Sequence, residues 1–171
     1  MKKRLISCFV TLCFFVFLIP AVPASASVLA EYDSSKVGTG LSAVLSDDGT
    51  MTILGSGAMK NWDGYSADTP WNEVRKSIKR VVISGDISRI GKYFFNNCDS
   101  LISVSINSTC ALSVEMGAFT ACDNLRSISI HSAGTTLQNS SLSGASALRT
   151  LTFSGTVTSI NNYYTVKSKF R

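Results

Sequence analysis

Apolar residues return along this chain at a fixed interval. The run Phe94-Phe95-x-x-Cys98-x-x-Leu101-x-x-Val104-x-Ile106 comes back as Ala118-Phe119-x-x-Cys122-x-x-Leu125-x-x-Ile128-x-Ile130. Phe95 and Phe119, Cys98 and Cys122, Leu101 and Leu125, Val104 and Ile128, and Ile106 and Ile130 each lie 24 positions apart. A third copy follows at 23 in Leu142, Ala145, Leu148, Leu151 and Phe153, and a partial one precedes at 23 in Ile78, Val81 and Ile83. Such a period predicts a solenoid, in which each coil buries its apolar side only against its neighbours.

Within a copy the pattern changes from wide spacing to strict alternation. Alternation predicts a strand with Val104 and Ile106 pointing inward and Ser103, Ser105 and Asn107 pointing outward. Phe95 and Cys98 fall on a tight turn or short helix on the opposite wall. Gly85-x-Ile87-x-x-Ile90 and Gly155-x-Val157-x-x-Ile160 resemble each other and are expected to lead back to the next coil. An Ile90-Gly91 pair and a Met116-Gly117 pair open the first two full copies; the third lacks one.

The solenoid is expected over residues 78–160, as about three to four coils. Residues 27–77 read as a lead-in and capping segment, irregular over 27–40. Leu41–Leu45 and Thr50–Leu54 then form a β-hairpin about Asp48-Gly49, where glycine takes positive φ without steric cost. Pro70 suits the first turn of a short helix through Trp71 to Lys76. The hairpin and the tryptophans supply apolar area to cover the first coil, which would otherwise expose its core. The alternative use of Trp62, Tyr65 and Trp71 is an aromatic box for a sugar or a cation. Asn161–Arg171 reads as a tail or a truncated coil.

The first 26 residues stand apart. Lys2-Lys3-Arg4 precedes an apolar run from Leu5 to Ile19, and Ala24-Ser25-Ala26 closes it in the small-x-small pattern of a signal-peptidase site. The expectation is a secreted or cell-surface protein cleaved after Ala26. The formal charge of +5 falls to +2 once Lys2, Lys3 and Arg4 leave with the leader. That balance argues for neither nucleic acid nor an anionic membrane, and the cluster Arg75-Lys76 and Lys79-Arg80 reads as a solvated rim. No later segment is apolar enough for a membrane span. Of five cysteines, Cys98, Cys110 and Cys122 remain. Cys98 and Cys122 stack on consecutive coils as buried thiols, because side chains stacked in parallel seldom reach disulfide geometry.

These repeats resemble the BspA-type leucine-rich repeat of bacterial surface and secreted proteins. The match is close over 90–106 and 116–130 and looser over 78–160. Leu41–Trp71 also resembles the segment that often precedes such repeats. The resemblance implies a β-rich solenoid with parallel strands on one face and short helices or turns on the other. It also implies attachment to other surfaces without enzymatic chemistry. The chain departs from the family at Asn107, His131 and Ser154, where proline usually follows the strand.

Candidate chemistry is sparse. The single histidine, His131, sits in the outward register without an acid nearby in sequence, and no metal-ligand spacing or phosphate-binding glycine motif is present. No cofactor is expected. The outward positions of successive strands read Ser103-x-Ser105-x-Asn107, Ser127-x-Ser129-x-His131 and Thr150-x-Thr152. Stacked, they form hydroxyl columns suited to hydrogen bonding without charge. The leading expectation is a non-enzymatic module that holds an extracellular protein or glycan on this face. A second is the end-piece of a longer stalk that self-associates through an open C-terminal coil, and a third, weaker, is a secreted hydrolase using His131.

Overall fold

A computed structural model describes residues 26–63 and 69–161. The expected leader, Tyr65 of the aromatic box and nearly all of the C-terminal tail lie outside the described residues. The chain winds into a β-solenoid built on one eight-stranded sheet. Its strands are β1 (Val28–Tyr32), β2 (Leu41–Ser46), β3 (Thr50–Ala58), β4 (Arg80–Ile90), β5 (Ser103–Ser108), β6 (Ala111–Val114), β7 (Ser127–Leu137) and β8 (Thr150–Ile160). Among the described residues helix is limited to α1 (Ser34–Val37) and one 3₁₀ turn, Arg75–Ser77. The short helix expected over Trp71–Lys76 is therefore mostly turn.

The repeat spacing becomes strand register. Val81, Val104, Ile128 and Leu151 pair in succession, as do Ile83, Ile106, Ile130 and Phe153. All but the last member of each row are buried, and together they form two apolar columns along the axis. A third column, Phe95, Phe119 and Leu142, lines the turn wall, with Cys98, Cys122 and Ala145 below it, all buried. The third copy therefore keeps its place in the core despite its altered residues.

Three expectations change. The segments after Gly85 and Gly155 are not plain connections: they continue as strand, so each coil has two strand legs and one turn arm. Arg89 and Ile90 pair with Ser113 and Val114, and Thr135 with Val157. Widely spaced isoleucines masked the alternation, because the strand bends at the corner between the legs. Gly91 and Gly117 are not equivalent either. Glu115 donates its N–H to the Ile90 carbonyl, whereas Gly117 stands in register with Tyr93, and both of these take positive φ, 68° and 53°. Residues 27–40, expected to be irregular, contain β1 and α1. β1 is an edge strand with little burial, so it leaves no hydrophobic alternation to read, and its order comes from antiparallel pairing with β2.

The N-terminal hairpin also meets the solenoid differently from a lid laid across its end. β2 and β3 pair through Asp48-Gly49 as expected, and β3 then runs parallel to β4 as one more rung. Met51 and Ile53 thereby extend the two apolar columns by a step. Trp71 lies fully inside, packing on Phe94 at 4.5 Å and Phe95 at 5.8 Å, and donates its Nε1–H to the Phe94 carbonyl at 3.0 Å. A buried and satisfied Trp71 rules out the aromatic box; Trp62 is only partly buried.

The turn arm is tied rung to rung by its own backbone. Tyr93, Phe95 and Asn97 donate N–H groups to Met116, Ala118 and Thr120 of the next coil, and Phe119 and Ala121 donate to Ser141 and Ser143. Reaching this arrangement requires left-handed backbone at two places per arm: Tyr93 and Asn97, Gly117 and Ala121, Ser140 and Gly144.

Among the described residues Cys98, Cys110 and Cys122 are free thiols. Burial pushes Cys98 far up, and burial pushes Cys122 up to about 12 against the opposing pull of the Cys98 backbone N–H; as a neutral thiol, Cys122 donates to the Phe95 carbonyl at 3.1 Å. A thiol whose folded pKa is raised stays protonated where the unfolded thiol ionises. Its contribution is full below the ordinary thiol value of 9.0 and is lost as pH rises toward about 12. Stability is accordingly expected to fall between those values, and less so in a Cys98→Ala/Cys122→Ala double variant. Urea titrations of both proteins across that range check this; identical slopes would refute it.

Candidate functional site

The outward positions of the first strand legs lie in the expected register. Ser103, Ser127 and Thr150 form one column, Ser105, Ser129 and Thr152 a second, and Asn107, His131 and Ser154 a third. Adjacent members are separated by one rung, about 4.8 Å. Ser105, Asn107, Ser129, His131, Thr150 and Thr152 are exposed, and Ser103 and Ser127 are half-buried. The columns continue toward the N-terminus as Arg80, Val82 and Ser84, then as Thr50, Thr52 and Leu54.

The N-terminal end of the first column is closed by an internal cluster. Arg80 Nη2 meets Asp48 Oδ2 at 2.6 Å and Thr50 Oγ1 at 2.9 Å. The backbone N–H of Thr50, together with its hydroxyl and Arg80, holds the Asp48 carboxyl below its ordinary range. The ion pair is exposed and contributes little to stability, but it fixes the turn beside the face. His131 stands between Asn107 and Ser154, so the ladder places no carboxylate beside it.

At the far side of these strands the backbone bends through a corner. Ser108 is buried there and donates its hydroxyl to the Ile87 carbonyl at 2.9 Å, and Ser132 and Thr135 share a hydrogen bond at 2.7 Å. These inward hydroxyls satisfy buried backbone and each other, whereas those of the face point to solvent. Cys110, half-buried at the same corner, has its Sγ 3.4 Å from the Ser108 hydroxyl.

Reading along the sequence missed one feature of this surface. The residue just before each strand also stacks: Ile102 donates its N–H to Lys79, Arg126 to Ile102 and Arg149 to Arg126, at 2.8 to 2.9 Å. Lys79, Arg126 and Arg149 are exposed, so the cluster that read as a local solvated rim at Lys79 continues along the axis. The spacing signal was present, since these positions share the repeat offset, but the apolar Ile102 interrupts the charges.

The BspA-type leucine-rich repeat region matches residues 73–170 in 6 copies, more than half of the chain. The chain belongs to this family of leucine-rich repeats. A crystal structure of a leucine-rich repeat protein from Eubacterium ventriosum has a similar fold, with a TM-score of 0.52 and 23% identity. The similarity covers 71% of this chain and 39% of that one, so the chain spans well under half of that protein's length. No curated protein matches the chain. Among the described residues no helix is long and apolar enough to cross a membrane.

Proposed function

We propose that this chain is an exported, non-enzymatic adhesion module that holds an extracellular protein or glycan against its first strand legs. The observation that carries the reading is the in-register, solvent-facing set Ser105, Ser129 and Thr152, with Asn107 and His131 beside it. Its hydroxyls have no protein partner among the described residues and stand on a ladder whose inner side is packed. A rigid backing lowers the ordering cost of binding, and hydroxyls donate and accept without a desolvated charge. The leader-like Lys2–Ala26 and the family's association with surface proteins support export.

The test uses the exported chain, whose first residue is expected to be Ser27 by mass. Screened on immobilised matrix proteins and a glycan array, it is expected to bind at least one ligand. A Ser105→Gln/Ser129→Gln/Thr152→Gln variant should bind that ligand about ten-fold more weakly or worse, because bulk is added at the centre of the contact. Equal binding by the variant would remove this face from consideration.

Self-association of a longer stalk is the second reading. Its supporting observation is β8, where Val157 and Ile160 are exposed at 39% and 54% on the outermost described rung. Light scattering that rises with concentration would favour it, and a strict monomer would count against it.

A further inference from the structure

We propose that the ridge Lys79–Ile102–Arg126–Arg149 is a docking strip for an acidic polypeptide segment that carries apolar side chains among its carboxylates. The inference rests on the reading of the adjoining strand face as a binding surface, and it specifies the partner.

The ridge is continuous, since each member's backbone N–H bonds the carbonyl of the member one rung before it. Parallel rungs hold Arg126 and Arg149 about 4.8 Å apart at the backbone. Stacking like charges at that spacing is unfavourable unless something opposite in sign meets them. Among the described residues no carboxylate forms an ion pair with them. Among the described residues the ion pair found is Arg80 with Asp48, one column away. Asp99 and Asp123 precede Ile102 and Arg126 by three positions and lie in no ion pair with the ridge among the described residues. The repeat thus carries unpaired cations along its axis on a chain of modest net charge.

Ile102 selects the kind of anion. It is 42% exposed, with a cationic rung on either side in Lys79 and Arg126. A polyanionic sugar chain would gain nothing from it, and water is a poor neighbour for it. A peptide alternating carboxylates with leucine-like side chains would place an apolar group over Ile102 and carboxylates over the arginines. Guanidinium groups pair with carboxylates in bidentate geometry, and arginine is enriched where interfaces are strongest. The Ser103, Ser127 and Thr150 column beside the ridge adds hydrogen-bonding groups for the peptide backbone.

The experiment measures binding of the full exported chain to three probes: a soluble peptide with leucines spaced among glutamates, the same peptide with serine for leucine, and polygalacturonate. The leucine-containing peptide should bind most tightly and weaken as salt is raised. Lys79→Ser/Arg126→Ser/Arg149→Ser should weaken it about ten-fold or more. A charge-matched control, Lys36→Ser/Lys60→Ser/Lys92→Ser, should change it less than about two-fold. Ile102→Ser should cost several-fold for the leucine peptide and nothing for the other probes. All these sites are on the surface, and circular dichroism verifies that each variant folds.

An equal loss in the charge-matched control would reduce the effect to net charge and overturn the proposal. Tighter binding of polygalacturonate, insensitive to Ile102→Ser, would overturn it in favour of an acidic glycan. If the ridge variants fail to weaken the peptide while the Ser105/Ser129/Thr152 variant still loses its own ligand, the ridge is wrong and the face stands. The reverse pattern leaves the ridge and removes the face.

Discussion

Phe95→Ala is expected to destabilise the protein by about 3–5 kcal/mol, the range for deleting a large buried aromatic side chain. Phe95 is fully buried and stands where two structural layers meet. It stacks on Phe119 of the next coil, 5.4 Å away with rings 6° from parallel, and meets Phe94 edge-on at 5.1 Å and Trp71 at 5.8 Å. Removing the ring opens a cavity between the N-terminal segment and the repeats. Neighbouring side chains cannot collapse into it freely, because the turn arm is held by the Phe95 N–H to Ala118 carbonyl bond at 2.8 Å. Coils of a solenoid are stable mainly through their neighbours, so the loss should spread along the axis. Phe119→Leu should cost far less, under about 1.5 kcal/mol, since Leu142 fills the same position one coil later. Urea unfolding of both variants checks the pair. A Phe95→Ala loss below about 1 kcal/mol would contradict the column of stacked rings as a source of stability.

The rings and aliphatic columns were legible because their signal is repetition. Val104, Ile128 and Leu151 share an offset, and an offset in sequence becomes a rung in space. The outward columns follow from the same alternation, which puts Ser105, Ser129 and Thr152 on the solvent side of successive strands. The turn arm was less legible. Gly91 and Gly117 suggested a shared motif, yet the equivalence that matters joins Gly117 to Tyr93, because both need left-handed backbone. Identity misled there, and conformation decided. β1 escaped notice for another reason: an edge strand with exposed Val28 and Leu29 buries too little to impose a pattern. The basic ridge lay between these cases. Its period is in the sequence, but the ridge is spread over positions about two dozen residues apart, so it forms no local run of charge like Arg75-Lys76.

The corner glycines give the second large effect, and it comes from space instead of apolar area. Gly85→Ala is expected to cost about 3 kcal/mol or more, among the larger single-residue effects. Gly85 takes φ of 121°, a conformation that side-chain-bearing residues rarely adopt, and a Cβ there would lie 2.0 Å from the Gly55 carbonyl oxygen. That oxygen belongs to backbone in the neighbouring rung, so neither side can yield without disturbing the β3–β4 register. Gly155 repeats the arrangement against the Ser132 carbonyl at 1.9 Å. Between them the corner is made differently. Ser108, in register with Gly85, keeps ordinary backbone and turns its hydroxyl inward to the Ile87 carbonyl. A corner can therefore be built with or without glycine, but the two backbone forms do not interchange at one site. Gly85→Ser should fail to rescue Gly85→Ala, despite Ser108 being tolerated one rung away. Gly134→Ala supplies the contrast: its added Cβ would meet first the Thr158 hydroxyl at 3.3 Å, a side chain that can rotate aside. It should cost less than about 1 kcal/mol. Thermal and urea unfolding of the three variants separate the cases, and similar losses at Gly85 and Gly134 would show that close approach of backbone at the corner is not what the glycine provides.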